Sequence, residues 1–89
     1  MREFANAKTE RSREIQEWLV SYLAELLDLD VEAVDIDDTF ASFGLDSSAA
    51  MGMVGDLEAW LNRKLDPELI YNHPTIATLS QHLAETGGE

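Results

Sequence analysis

Ser47 is the one residue whose type and position suggest chemistry. It closes the stretch Phe43-Gly44-Leu45-Asp46-Ser47, between an acidic segment and an apolar-periodic one. A helix beginning there has first-turn N–H groups with no carbonyl partner and the positive end of its macrodipole. Both favour an anionic group esterified to a serine hydroxyl at that point. A phosphate ester on Ser47, beside Asp46, is therefore one reading. The other is purely structural, because Asp and Ser are ordinary N-caps and either residue can simply start a helix.

The remaining candidates are weaker. Asp28, Asp30 and Glu32 alternate as in a calcium loop, but position six would be Ala33 in place of Gly and position twelve Thr39 in place of a bidentate Glu. His73 and His82 fall in different elements with no further ligand at metal spacing, so no metal site is expected. His73 reads as a turn residue before Pro74 and His82 as a helix-surface or rim residue. A triad of Ser47, His73 and Asp46 would need adjacent residues at its two ends and a water-excluded pocket. No glycine-rich phosphate loop is present.

At 89 residues the chain makes one domain, in which about two-thirds of the chain's surface is buried on folding. That favours a surface-displayed function over a deep active site. The absence of Cys excludes disulfides and thiolate chemistry and suits a reducing, cytoplasmic setting. No apolar run approaches membrane-spanning length. Six basic residues stand against 18 acidic ones, for a net charge of −12. Twelve of the acids lie between Arg13 and Arg63, a stretch with no Lys or Arg. One side of the domain must be negative, which argues against nucleic acid and either serves solubility alone or attracts a partner rich in Lys and Arg.

Residues 1–9 lack periodicity and read as a flexible lead-in. From Glu10, Ile15, Trp18, Leu19, Tyr22, Leu23, Leu26 and Leu27 repeat as an amphipathic helix of about five turns. Residues 28–46 form a long loop with apolar anchors at Leu29, Val31, Val34, Ile36, Phe40 and Phe43. A second helix is predicted from Ser47, capped by Asp46, to about Leu61. A short one follows Asp66-Pro67 through Leu69, Ile70 and Tyr71, and His73-Pro74 ends it. Thr75 opens a last helix carrying Ile76, Leu79 and Leu83, which fades at Gly87-Gly88, so residues 87–89 form a tail. The expected fold is all-α, a four-helix bundle of three longer helices and one short, over residues 10–86.

This pattern resembles the acyl carrier proteins, particularly the carrier domains of modular polyketide synthases. The resemblance rests on Phe43-Gly44-Leu45-Asp46-Ser47 and on Tyr71-Asn72-His73-Pro74-Thr75-Ile76 followed by Leu79 and His82-Leu83. It implies that Ser47 receives a 4'-phosphopantetheine arm from coenzyme A through a phosphopantetheinyl transferase, and that the arm's thiol carries an acyl group. A chain without Cys needs that sulfur brought in. Leu45-Asp46, where peptide-synthetase carriers usually have Gly-His, favours acyl over aminoacyl cargo. Ser48 departs from the family's usual Leu, and Ser47-Ser48 with Gly55-Asp56-Leu57-Glu58-Ala59-Trp60-Leu61 looks like carriers that act beside fatty acyl-AMP ligases. The implied partners are the transferase, a loading ligase or acyltransferase, and a ketosynthase or other synthase domain, with the isolated domain a monomer. The alternatives are an acidic helical adaptor without a prosthetic group and, more remotely, a small hydrolase using Ser47.

Helical phase predicts that Ala50, Val54, Leu57 and Leu61 face the core, with Met53 and Trp60 on the flank, against Leu19, Leu23, Leu26, Leu79 and Leu83. Ser48, Gly52, Gly55 and Ala59 fall on the opposite face, edged by Met51, Asp56 and Glu58. Glycine inside a helix costs about 1 kcal/mol relative to Ala. The stripe is therefore expected to dock a partner that approaches the backbone closely, the alternative being drift at an unconstrained surface.

Overall fold

The computed structural model describes residues 3–86, and of residues 3–9 the backbone alone. The described residues form four α-helices: α1 (Glu3–Leu27), α2 (Ser47–Leu61), α3 (Leu69–Asn72) and α4 (Ile76–Thr86). The expected bundle is the observed one. The assignment of residues 1–9 to a lead-in needs correction, because α1 is already helical at Glu3. That segment has no apolar stripe but contains Ala5, Ala7 and Lys8, and intrinsic propensity extends a helix where amphipathic patterning is absent. The tail assigned to 87–89 lies outside the described residues.

Ile15, Leu19 and Leu23 recur at four-residue steps on α1 and are buried against Leu79, Leu83 and Ala84 of α4. α4 begins with a reciprocal cap. The Thr75 hydroxyl accepts from the Thr78 amide at 3.1 Å and the Thr78 hydroxyl accepts from the Thr75 amide at 3.2 Å. Asp28, in the left-handed region at φ 60°, ends α1 and lets the Leu29 amide bond back to the Ala24 carbonyl at 2.8 Å.

The long loop is packed, though not by all its expected anchors. Val34 and Phe40 are buried and Ile36 and Phe43 half-buried, but Leu29 and Val31 are exposed. Two 3₁₀ turns, Val31–Ala33 and Ala41–Phe43, give it local order. Two backbone bonds tie it to the start of α4: Phe40 N–H to the Pro74 carbonyl at 2.8 Å and Ala77 N–H to the Ile36 carbonyl at 3.0 Å. They accompany an isolated β-bridge between Thr39 and Thr75, where helices alone were expected. Gly44, at φ 83°, then turns the chain into α2.

On α2 the buried residues are Ala50, Met53, Val54 and Leu57. Met53 is therefore core and not flank, whereas Leu61 is half-buried and Leu26 and Trp60 are exposed. Trp60 instead stacks on Trp18, with centroids 5.4 Å apart, and Trp18 stacks on Tyr22 at 5.0 Å. Tyr22 donates its hydroxyl to Asp56 at 2.7 Å. The pairs Trp18–Trp60 and Tyr22–Asp56 advance four residues along α1 and retreat four along α2, so the two helices are antiparallel. Arg63 donates to the Thr86 hydroxyl at 3.1 Å, joining the chain just past α2 to the last residue of α4.

Truncating Leu57 to Ala should destabilise the domain by about 2–5 kcal/mol, since it empties a fully buried position. Leu26→Ala, at an exposed site, should stay within about 0.5 kcal/mol of wild type. Urea denaturation of both variants checks this assignment of faces.

Candidate functional site

Asp46 adopts extended backbone geometry (φ −87°, ψ 179°), and its side chain accepts from the Ala49 amide at 2.8 Å. Its carbonyl accepts from the Ala50 amide at 2.9 Å. Capping is therefore carried out by Asp46, and Ser47 is left as the first helical residue with an exposed side chain. The N–H groups of Ser47 and Ser48 open the helix with no preceding turn behind them, so the local potential at the Ser47 hydroxyl is favourable to an anion.

Beside Ser47 lies a cavity of about 200 Å³, walled chiefly by Phe40, Leu45, Ala50, Ile70, Tyr71 and Pro74. The loop, α2 and the α3 segment each contribute one side of it. No Lys or Arg lines it, and Asp46 is its one charged residue, with one carboxylate oxygen already turned to the Ala49 amide. An exposed hydroxyl at a helix N-terminus with an apolar wall alongside suits an extended group joined through a phosphate ester.

The residues predicted to dock partners lie along α2. Ser48, Met51, Gly52, Gly55, Asp56 and Ala59 are exposed and Glu58 is half-buried. A Cβ placed on Gly52 or Gly55 would meet nothing within 4 Å, so packing within the domain does not require either glycine. Both edge carboxylates are held by the fold. Asp56 accepts from Tyr22, and Glu58 accepts from the Leu65 amide at 2.8 Å. Through its hydrogen bond to Asp56, reinforced by burial and the carboxylate's charge, the Tyr22 phenol is pushed up to about 12.

The fold unites one pair that sequence reasoning kept apart. His73, ending α3, and His82 of α4 stack with centroids 4.1 Å apart and planes 19° from parallel. Burial, then the nearby His73, lower the pKa of His82, as does Arg63, against the opposing pull of Glu85. The α3–α4 turn that brings the pair together is invisible to periodicity. Among the described residues no group of three or more His, Cys, Asp or Glu is arranged to hold a metal ion.

The family model described as the phosphopantetheine attachment site matches residues 17–83. The chain belongs to this family. It is a carrier of 4'-phosphopantetheine, not an enzyme, and the adaptor and hydrolase alternatives give way to that role. The carrier is 38% identical over 73 residues to the acyl carrier protein TtuC of Teredinibacter turnerae, covering 82% of this chain and 84% of that protein. It is 32% identical over 79 residues to a phenolphthiocerol/phthiocerol polyketide synthase of Mycobacterium tuberculosis, covering 89% of this chain but 4% of that far longer one. Among solved structures, an acyl carrier protein of Anabaena sp. PCC 7120, described as having a variant phosphopantetheinylation-site sequence, superposes with a TM-score of 0.80 at 42% identity. The match covers 83% of this chain and 84% of that one. Carriers of this family work with a phosphopantetheinyl transferase and with synthase domains.

Two outcomes follow from the geometry. Asp46→Ala removes the cap of α2 and should cost about 1 kcal/mol in urea denaturation, with most of the loss recovered in Asp46→Asn. For His82, a lowered pKa means that the unfolded chain binds the proton more readily than the folded one. Stability should therefore fall as pH drops through about 6.5, the ordinary histidine value. His82→Phe should flatten that part of the stability–pH curve while keeping a ring against His73.

Proposed function

We propose that Ser47 is the residue that bears the 4'-phosphopantetheine arm, and that the domain holds acyl intermediates as thioesters in polyketide or fatty acyl lipid biosynthesis. The observation that carries this reading is the division of labour at the start of α2. Asp46 satisfies the helix end, which frees Ser47 to stand exposed over it. When bound, the arm supplies the terminal thiol that this Cys-free chain lacks. The residues of the chain contribute the rest. The Ser47 oxygen becomes the ester oxygen, the helix N-terminus stabilises the phosphate charge, and Leu45, Ile70 and Pro74 offer the site an apolar wall.

Leu45-Asp46 before the serine supports acyl over aminoacyl cargo. Ser48 and Gly55-Asp56-Leu57-Glu58 support loading by a fatty acyl-AMP ligase, with an acyltransferase as the alternative and a ketosynthase or other domain downstream. The docking face for these enzymes is the α2 stripe of Ser48, Gly52, Gly55 and Ala59 with Met51, Asp56 and Glu58 at its edges. Its support is the open space over both glycines, together with carboxylates fixed in place by Tyr22 and Leu65. The absence of Cys accords with a cytoplasmic setting.

Incubating the apo chain with coenzyme A, Mg²⁺ and a broad-specificity transferase should add the mass of one arm. Ser47→Ala should gain nothing and Ser48→Ala should gain fully. No gain in wild type, or an equal gain in Ser47→Ala, overturns the assignment. Gly55→Leu and Gly52→Gln should fold at least as stably as wild type, since helix propensity improves at both sites. Both should slow acyl loading of the holo protein, and wild-type loading rates in both would remove the stripe as a docking face.

A further inference from the structure

We propose that the C-terminal end of α1 and the turn after it form a second docking patch, built for a partner protein segment whose apolar side chains are flanked by Lys or Arg. The patch consists of Leu26, Leu29 and Val31, which are 48%, 41% and 53% exposed. The core takes Ala24 and, in part, Leu27 from the same stretch, so burial is available to this segment and these three side chains are left out of it. Half the positions from 26 to 31 thus present large apolar groups to water.

The backbone beneath the patch is hydrogen-bonded in place. Leu29 is directed by the left-handed turn at Asp28 and by its amide's bond to Ala24 at 2.8 Å. Val31 opens a 3₁₀ turn closed by Ala33 N–H to Asp30 carbonyl at 2.9 Å and by Val34 N–H to Val31 carbonyl at 3.2 Å, and Val34 anchors that turn in the core. A partner would therefore meet a backbone that needs no ordering first.

Charge selects the partner. Glu25, Asp28, Asp30 and Glu32 alternate with the apolar residues and are all exposed, while Arg13 and Arg63 are the nearest cations in sequence. Nucleic acid, an anionic lipid surface and a second copy of this chain would all be repelled. A protein segment carrying Lys and Arg would be steered in and oriented by the same carboxylates. Three apolar side chains make a small interface, of the kind suited to brief encounters.

Position adds the final argument and rests on the reading of Ser47 above. Tyr22 lies level with Asp56, so one further step of four residues in the antiparallel register sets Leu26 level with Gly52, one turn beyond Ser48. The patch therefore lies at the Ser47 end of the bundle and extends the bare glycine surface of α2 onto α1.

The test uses the full 89-residue chain, ¹⁵N-labelled, and a synthetic amphipathic helical peptide of Leu and Lys, with the same peptide bearing Glu for Lys as control. Amide shifts should concentrate in residues 24–33 and at Gly52, and the Glu peptide should produce none. The double variant L26S/V31S should keep the wild-type urea midpoint yet bind the Lys peptide at least fivefold more weakly. No binding, shifts spread evenly over the acidic surface, or equal affinity in the double variant would each overturn the patch. End-point transfer of the arm to Ser47, followed by mass in the same double variant, tests the Ser47 reading separately from the peptide result.

Discussion

Everything at the Ser47 end depends on how the long loop is pinned to the start of α4. Residues 28–46 form only local turns among themselves, and a connection of that length needs contacts from outside it to hold its course. Here Phe40 is buried, its amide bonds to the Pro74 carbonyl, and the Ile36 carbonyl receives the Ala77 amide three residues later in the α4 segment. These ties leave no slack before Gly44 turns the chain. They fix where α2 starts, which wall of the cavity the loop forms, and how near α3 sits to Ser47.

The helices themselves meet in two styles. α1 and α4 share a conventional aliphatic core of Ile15, Leu19, Leu23, Leu79 and Leu83. At the outer edge between α1 and α2, aromatic rings do the joining, with Trp18 against both Tyr22 and Trp60, and the Tyr22–Asp56 bond sets the register. α2 relies on such contacts more than on its own propensity, because Gly52 and Gly55 weaken it as an isolated helix. A helix held by one face alone leaves the other face open to selection by partners.

Much of this was legible in the chain. Asp46-Ser47 marked the start of α2 because a cap and an apolar period coincide there, and Thr75 marked the start of α4 for the same reason. Phase alone was insufficient at the flanks. Met53 and Trp60 project within about 20° of each other on α2, yet Met53 is buried and Trp60 exposed. The difference is axial: Met53 lies in the middle of the helix over the core, whereas Trp60 lies in its last turn, at the rim. Leu26 fails for a related reason, since α1 is nearly at its end there and no neighbouring helix covers it. The His73–His82 stack had no local signature at all, because it depends on the angle at which α3 meets α4.

The antiparallel register of α1 and α2 has a mechanical corollary. α2 runs away from Ser47, and the Arg63–Thr86 bond brings the last turn of α4 to the same far pole. α1 approaches from that pole too, with its residues before Trp18 extending past the level of Trp60. Any polypeptide tethered to either outer helix would therefore leave from the side of the bundle opposite Ser47. Suspended from both ends in a longer chain, the domain could pivot like a bob on two strings and turn its serine pole from one neighbour to the next, with neither string crossing that pole.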